Sequence, residues 1–421
     1  MGTCFTLGGL ERIATESRAR NMNSSIMFCK RKTQTDRKVS KKLKTERNST
    51  DLCFPQDTCG LNVCLKDQTD LADFSCLGDE NQGTDPHNFT SVQSKVQSDD
   101  VEGPLIGDHE TQESEGGEAD LHKYLVGCQK NPGHRQFIPI YTFTLKHLPE
   151  DLQDNDLYDF IKVTADLTVR VDVTMTSPDR PKFWPKTTQP YPFYNMSERR
   201  NLRTGSGNVS LVNKFQDGVI QDGHYGLIRY TKCWCRKCED SDSPSNVWWE
   251  FYVSTATHVV FDDIEANHTT LRLFYEREDS PLVFVDKVSV VNVNIENDFC
   301  DLKCVTCDYD IGKKLIKMWE INQDIWYKVF SKYRDLGSKH KLNFIVSHPH
   351  GCSKQVSVGQ WKDRFKVGGS SKFTYTACTC PGSSGAHVYC LGYKELFSVS
   401  YIVHSGSLKS GLNYSGISLV W

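Results

Sequence analysis

Beyond Asn201 the chain is a succession of short β-branched and aromatic runs separated by turn residues, and this pattern limits its fold more than any other feature. Val209–Val212, Gly226–Thr231, Val247–Val253, Thr270–Tyr275 and Leu282–Val293 read as strands of one block. Asn343–Val346, Lys372–Thr376, Val388–Leu391 and Ser398–Val403 read as strands of a second. Many short strands at such spacing make a sandwich or barrel. Between the blocks, Leu315, Met318, Trp319, Ile325, Trp326, Val329, Phe330 and Tyr333 recur at helical spacing, so residues 313–336 are predicted helical. Two β blocks joined by a helical connection follow.

Upstream, residues 136–200 read as a small α+β extension of unassigned role. Pro149-Glu150-Asp151 suits a helix start, with Leu152, Leu157, Phe160 and Ile161 on one face. Leu167, Val169, Val171 and Val173 alternate with polar residues, which predicts a half-buried strand. The Pro-rich run Pro178 to Pro192 closes the region. Residues 1–130 are rich in Ser, Thr, Asp, Glu, Lys and Gly and poor in aromatics. Such a composition buries too little apolar surface to offset the entropy of ordering, so a disordered tail with basic and acidic segments is expected.

Charge and targeting signals narrow the function classes. A net charge of −3 argues against general nucleic-acid binding, and no run approaches the 18 apolar residues of a membrane span. The first 30 residues lack an apolar run with a small-residue cleavage site, so cytoplasmic or nuclear residence is expected. There the 17 cysteines are thiols or metal ligands rather than a disulfide framework, and the Asn-x-Ser/Thr triplets at Asn88, Asn208 and Asn413 carry no meaning. Lys30-Arg31-Lys32 with Lys41-Lys42-Leu43-Lys44 form a split basic cluster, read either as an import signal or as a solvated run. Met1-Gly2 with Thr6 fits a weak N-acylation pattern.

Three short motifs carry chemistry. Thr255-Ala256-Thr257-His258, Asn297-Asp298-Phe299-Cys300-Asp301-Leu302 and Gly382-Ser383-Ser384-Gly385 occur in that order. A serine hydroxyl is a poor nucleophile until an imidazole takes its proton, and the imidazole works best when a buried carboxylate fixes its tautomer. Each motif alone has an ordinary reading: a flexible turn, a satisfied core histidine, a capping aspartate. Asp301, His268 and His348 are the nearest rivals for the acid and the base.

Together the motifs resemble those of the chymotrypsin/trypsin-like serine proteases. Thr255–His258 is similar to the family's Thr-Ala-Ala-His box, Asn297-Asp298 to its Asn-Asp segment, and Gly382–Gly385 to Gly-Asp-Ser-Gly. Thr204-Gly205-Ser206-Gly207 resembles the strand that opens the first barrel. The resemblance covers residues 201–421. It implies a mainly β protease domain of two six-stranded-type antiparallel barrels with a helical insertion, following the disordered N-terminal region. It further implies Ser384 as nucleophile, His258 as general base and Asp298 as orienting carboxylate. The N–H groups of Gly382 and Ser384 would form the oxyanion hole, each donor worth roughly 3 kcal/mol in the transition state. Ser383 stands where secreted members have the Asp that pairs with a new N-terminus. Activation by N-terminal insertion is therefore not expected, and the intracellular and viral-like branch is the nearer likeness.

Thr379, five residues before Ser384, and His404-Ser405-Gly406 match the pocket that reads a Gln or Glu side chain before the cleaved bond (P1) in that branch. Thr379, His404 and Gly406 are thus the expected substrate-binding residues, and the expected partner is a protein or peptide substrate. Cys378, six before Ser384, is not the acid that Lys or Arg specificity needs. Cys233-x-Cys235-x2-Cys238, with Cys307 or a histidine as fourth ligand, has spacing suited to structural zinc; catalysis itself needs no cofactor. Two other readings remain: a protease-fold binding protein without activity, and a zinc-stabilised β-rich interaction module.

Overall fold

The computed structural model describes residues 107–421 except 222–229, 231, 335–339, 368–369, 393–401 and 418–421, together with a backbone strand at 100–102. The basic cluster, the acylation pattern and most of the expected strands at 226–231 and 398–403 lie outside the described residues. Residues 91–421 form one compact unit.

The described chain is mainly β, in two antiparallel-dominated sheets. Its strands are β1 (Asp100–Glu102), β2 (Glu113–Ser114), β3 (Phe137–Pro139), β4 (Thr168–Val173), β5 (Leu202–Gln216), β6 (Val219–Gln221), β7 (Val247–Thr255), β8 (Thr269–Leu273), β9 (Val283–Val285), β10 (Val288–Asn294) and β11 (Phe299–Thr306). After a long helix follow β12 (Leu342–Ser347), β13 (Gln355–Val367), β14 (Ser370–Tyr375), β15 (Val388–Cys390), β16 (His404–Ser407) and β17 (Asn413–Ser415). The first sheet runs β10-β11-β7-β5-β4-β8-β9, with β2 and β6 on β5. The second runs β15-β12-β13-β14-β17-β16, with β1 and β3 on β13.

Residues 136–200 do not stand apart as an extension. β4 lies between β5 and β8 in the first sheet, β3 pairs with β13 in the second, and helix α2 (Asn155–Leu167), which follows α1 (Glu118–Val126), packs between them. The helix start also moves. Pro149-Glu150-Asp151 opens only a single 3₁₀ turn, and α2 begins at Asp154, whose carboxylate accepts from the N–H groups of Asp156 and Leu157. Strand β4 is buried on both faces rather than one. Its polar positions are not solvated: Arg170 donates to Asp172 and to Gly351 O, and pairs with Glu118 of α1. Hydrophobic alternation cannot distinguish such an internal ion pair from an exposed face.

Helix α3 (Tyr309–Tyr333) is longer at its start than the periodicity predicts, because Asp308 caps it. At 25 residues it spans about 37 Å and serves both cores. Leu315 joins the core of the first sheet, where Trp319 Nε1 also donates to Ser210 O at 2.8 Å. Val329 and Tyr333 join α2 and the strands of the second sheet. Gly312 lets the helix approach β7, since a Cβ there would sit 2.0 Å from the Trp249 ring. Among the described residues no helix is long and apolar enough to cross a membrane.

Candidate active site

Strand register builds the first half of the site. β11 pairs antiparallel with β7, with Cys300 opposite Thr255. The residues just past the end of β7 and just before β11 must therefore meet. His258 Nδ1 lies 2.8 Å from Asp298 Oδ2, and the His258 backbone N–H donates to Oδ1 at 3.1 Å. The Ser405 hydroxyl donates to Oδ2 at 2.5 Å. Asp298 is 3% exposed and sits at φ +52°. Burial opposes its ionisation, but His258, His109 and Ser405 outweigh burial and hold the carboxyl below its ordinary value. The carboxylate fixes the Nδ1–H tautomer and turns Nε2 away from Asp298.

The rivals fall elsewhere. His268 Nδ1 bonds Ile264 O, His348 Nδ1 bonds Cys352 O, and Asp301 accepts from Ser254.

The second half is the loop between β14 and β15. Gly382 and Gly385 sit at φ +92° and +84°, and a Cβ on Gly382 would meet His348 O at 2.5 Å. The loop is fastened to β5: Ser206 N donates to Ser384 O at 2.8 Å, and Ser206 Oγ to Gly382 O at 2.8 Å. Gly205 permits this approach, for its Cβ would lie 2.5 Å from Val259 and 3.3 Å from Ser384 O. Ser383 is satisfied inside the protein, its hydroxyl 3.0 Å from that of Ser347 and accepting from Cys380 N–H. His258 and Ser384 line one small cleft with Glu110, Thr111, Gln112, Phe193, Arg203, Thr204 and Val259. His258 Nε2 and Ser384 Oγ are both buried there without a hydrogen-bond partner, so they share the cleft but are not bonded to each other.

Thr379 and His404 converge on one buried side chain, the carboxylate of Glu110, and Gly406 lies beside Asp108 of the same segment. Thr379 Oγ1 donates to it at 3.0 Å, and His404 Nε2 stands 3.7 Å away. Tyr375 Oη is 2.6 Å from His404 Nδ1 and 3.2 Å from Tyr414 O; its proton belongs on the shorter contact, which leaves Nε2–H facing Glu110. Gly406 carries no side chain because a Cβ would reach Asp108 O at 2.3 Å. Burial keeps His404 below the ordinary imidazole value despite Glu110. Burial works against Glu110, but the neighbouring His404 and the Lys130 ammonium outweigh it and hold the carboxyl well below its usual range.

Lys130, Ser405 and Ser407 are site residues that sequence reasoning missed. Lys130 pairs with Glu110 and donates to Thr379 Oγ1 at 2.9 Å and Asn413 Oδ1 at 3.0 Å. The Ser407 hydroxyl also bonds Glu110. Both serines continue the His404-Ser405-Gly406 run, one position of which would have pointed to each; Lys130 lies in no local motif. The Pro-rich run folds over the site, with Arg180 buried against Glu265 at 2.7 Å and donating to His258 O at 3.1 Å.

Two cysteine-bearing clusters flank the sheets. The sulfurs of Cys233, Cys235 and Cys238 lie within 4.8 Å of one another, and Cys307 is 3.4 Å from Cys235. Cys128, His134, His350 and Cys380 form a second group within the same limit.

The described chain thus places an imidazole–carboxylate pair on one antiparallel sheet and a glycine-flanked serine loop on the other. The chain matches no family model and no curated protein. Among solved structures it is similar to the HtrA-type protease AlgW with tripeptide, at 12% identity, TM-score 0.30, covering 61% of this chain and 58% of that one. AlgW with decapeptide gives 13%, TM-score 0.31, and 62% of each chain. Deg5 gives 10%, TM-score 0.30, 65% of this chain and 91% of that one. The match spans about three fifths of the AlgW chains.

Proposed function

We propose that this chain is a serine endopeptidase that cleaves after glutamate, with glutamine as the poorer P1 residue. One observation carries the reading: His258 is held by buried Asp298 through Nδ1 while its Nε2 shares a cleft with Ser384 Oγ. Closing that gap on substrate lets His258 take the Ser384 proton as Oγ attacks the carbonyl carbon. The N–H groups of Gly382 and Ser384 then stabilise the oxyanion. His258 returns its proton to the leaving amine, and water releases the acyl group by the same route in reverse. Thr379, His404, Ser407 and Lys130 receive the P1 carboxylate, and Lys130 favours Glu over Gln because an amide offers it no charge. A fluorophosphonate probe tests the assignment. Labelling of the folded chain that disappears in Ser384→Ala supports it; a folded chain that takes no label is a binding protein on a protease fold.

The four thiols of Cys233, Cys235, Cys238 and Cys307 suit a structural zinc ion, each as a thiolate, with no part in peptide hydrolysis. Loss of one zinc per chain in Cys235→Ser supports that site, and unchanged metal content removes it. All eleven described cysteines are free thiols, which fits a cytoplasmic or nuclear setting.

A further inference from the structure

The residue that fills the P1 pocket belongs to the chain itself, and its neighbours lie as a substrate would. Asp108 and Ser407 exchange both backbone hydrogen bonds at 2.8 Å, an antiparallel bridge beside the pocket. Gln189 Nε2 donates to Gly107 O at 2.5 Å, and Tyr414 Oη to the same oxygen at 3.2 Å. The His109 ring lies 4.7 Å from those of Trp184 and His258, and its Nδ1 is 2.8 Å from Ser405 O. Glu110 fills the pocket, and Thr111 and Gln112 continue through the cleft that holds His258 and Ser384. Beyond it, Gln112 Oε1 is 2.7 Å from His350 Nδ1. The segment 107–112 therefore runs through the cleft that holds His258 and Ser384, with the Glu110 side chain in the pocket.

We propose that the chain cleaves its own Glu110–Thr111 bond, separating residues 1–110 from the 311 residues (421 − 110) that follow. The inference rests on the endopeptidase reading above. Ser384 Oγ adds to the Glu110 carbonyl carbon as its proton passes to His258. The C–N bond to Thr111 breaks, and the Thr111 nitrogen takes that proton as the new amino terminus. Water then attacks the ester, giving free Glu110 carboxylate and regenerating the Ser384 hydroxyl. Because bond and nucleophile are in one chain, the reaction is first order. Purified full-length chain should yield a fragment beginning Thr111-Gln112-Glu113, at a rate unchanged by hundredfold dilution. Ser384→Ala and Glu110→Lys should both stay whole. A wild-type chain that takes the fluorophosphonate and hydrolyses an acetyl-Gly-Asp-His-Glu coumarin amide, yet stays whole or is cut elsewhere, overturns self-processing alone. A chain that does none of these overturns the endopeptidase reading with it.

A separate observation concerns Cys128, His134, His350 and Cys380. The two sulfurs are 3.6 Å apart, and Cys380 Sγ is 3.4 Å from His134 Nε2. Around one tetrahedral zinc, with bonds of about 2.3 Å to sulfur and about 2.0 Å to nitrogen, two sulfurs stand about 3.8 Å apart and a sulfur and a nitrogen about 3.5 Å apart. His350 is 3% exposed, with Nδ1 engaged by Gln112 and Nε2 unpartnered, the arrangement of a metal-binding imidazole with its outer nitrogen anchored. Asn131 supplies N–H donors to both sulfurs, at 3.4 Å to Cys128 and 3.1 Å to Cys380. Both histidines hold positive φ, +48° and +54°, a backbone cost kept where surroundings demand it.

The geometry points to a zinc ion bound by Cys128, His134, His350 and Cys380, clamping the arm before β3 to the loop that carries Ser384. Metal analysis of the full chain should show one zinc per chain lost in the double variant Cys128→Ser/His134→Ala, in addition to any zinc lost in Cys235→Ser when the variants are combined. Should the double variant misfold, alkylation of the native wild type decides. Cys128 and Cys380 should be protected until a zinc chelator is added and reactive afterwards. Unchanged zinc in a folded double variant, protection indifferent to chelator, or a Cys128–Cys380 disulfide by mass mapping would each overturn the site.

Discussion

The His258–Asp298 pair and the pocket around Glu110 both bury a carboxylate, but they are assembled in different ways. Asp298 is held by neighbours that strand pairing delivers: β7 and β11 run side by side, so the end of one meets the start of the other. Glu110 is held by Lys130, Thr379, His404 and Ser407, drawn from three separated parts of the chain. The first arrangement is rigid because a sheet enforces it. The second depends on the arm before β3 staying docked. The His258–Asp298 pair should thus be intolerant of change, while the pocket should be adjustable in preference.

The largest effect is expected at the rigid pair. Asp298→Asn keeps the shape but presents the wrong hydrogen-bond partner to Nδ1, and kcat should fall by about 10⁴-fold with KM little altered. A loss below tenfold would mean that the pair is not catalytic. At the pocket, Lys130→Ala should lower kcat/KM for a Glu peptide by about 10²-fold and leave a Gln peptide within a few fold, since only the charge contact is removed. Equal losses on both peptides would make Lys130 structural. Where the two regions meet, Gly205→Ala forces a Cβ toward Val259 and Ser384 O, and thermal or denaturant unfolding should show about 1–3 kcal/mol of destabilisation. Unchanged stability would show that β5 and the serine loop are not tightly fastened.

The smallest effect is one of pH. Burial lowers the His404 value, so the folded imidazole is harder to protonate than a free histidine, and the Glu-to-Gln ratio should vary by less than about twofold between pH 8 and 6. The unfolded chain does take up that proton, so His404 contributes stability at neutral pH that is lost as pH falls below about 6.5 toward its folded value. A sharp rise in Glu preference with a midpoint near 6.5 would show a charged His404 instead.

This division also explains what the sequence made legible. His258, Asp298 and Ser384 sit in short motifs at strand ends or in a glycine-flanked loop, where local backbone demands leave a local signature. The resemblance pointed to Thr379 and His404, and both face Glu110. Lys130 was not legible, because it reaches Thr379 across 249 positions and no nearby residue needs it. Strand β13 was invisible to periodicity: Gln360, Lys362, Asp363, Arg364 and Lys366 interrupt any apolar alternation. β4 was seen, but its burial was underestimated, because Arg170 and Asp172 neutralise each other inside the protein. The cluster of Cys128, His134, His350 and Cys380 has no spacing to read; topology alone brings it together.

The central claim is that Ser384, His258 and Asp298 hydrolyse peptide bonds after a residue seated against Thr379, His404 and Lys130. Steady-state kinetics of purified chain on four coumarin amides that differ only at P1 (Glu, Gln, Lys and Phe) tests it most directly. The account predicts turnover that is highest for Glu, lower for Gln, negligible for Lys and Phe, and abolished in Ser384→Ala. Turnover that is fastest on Phe or Lys, or that persists in Ser384→Ala, would contradict it.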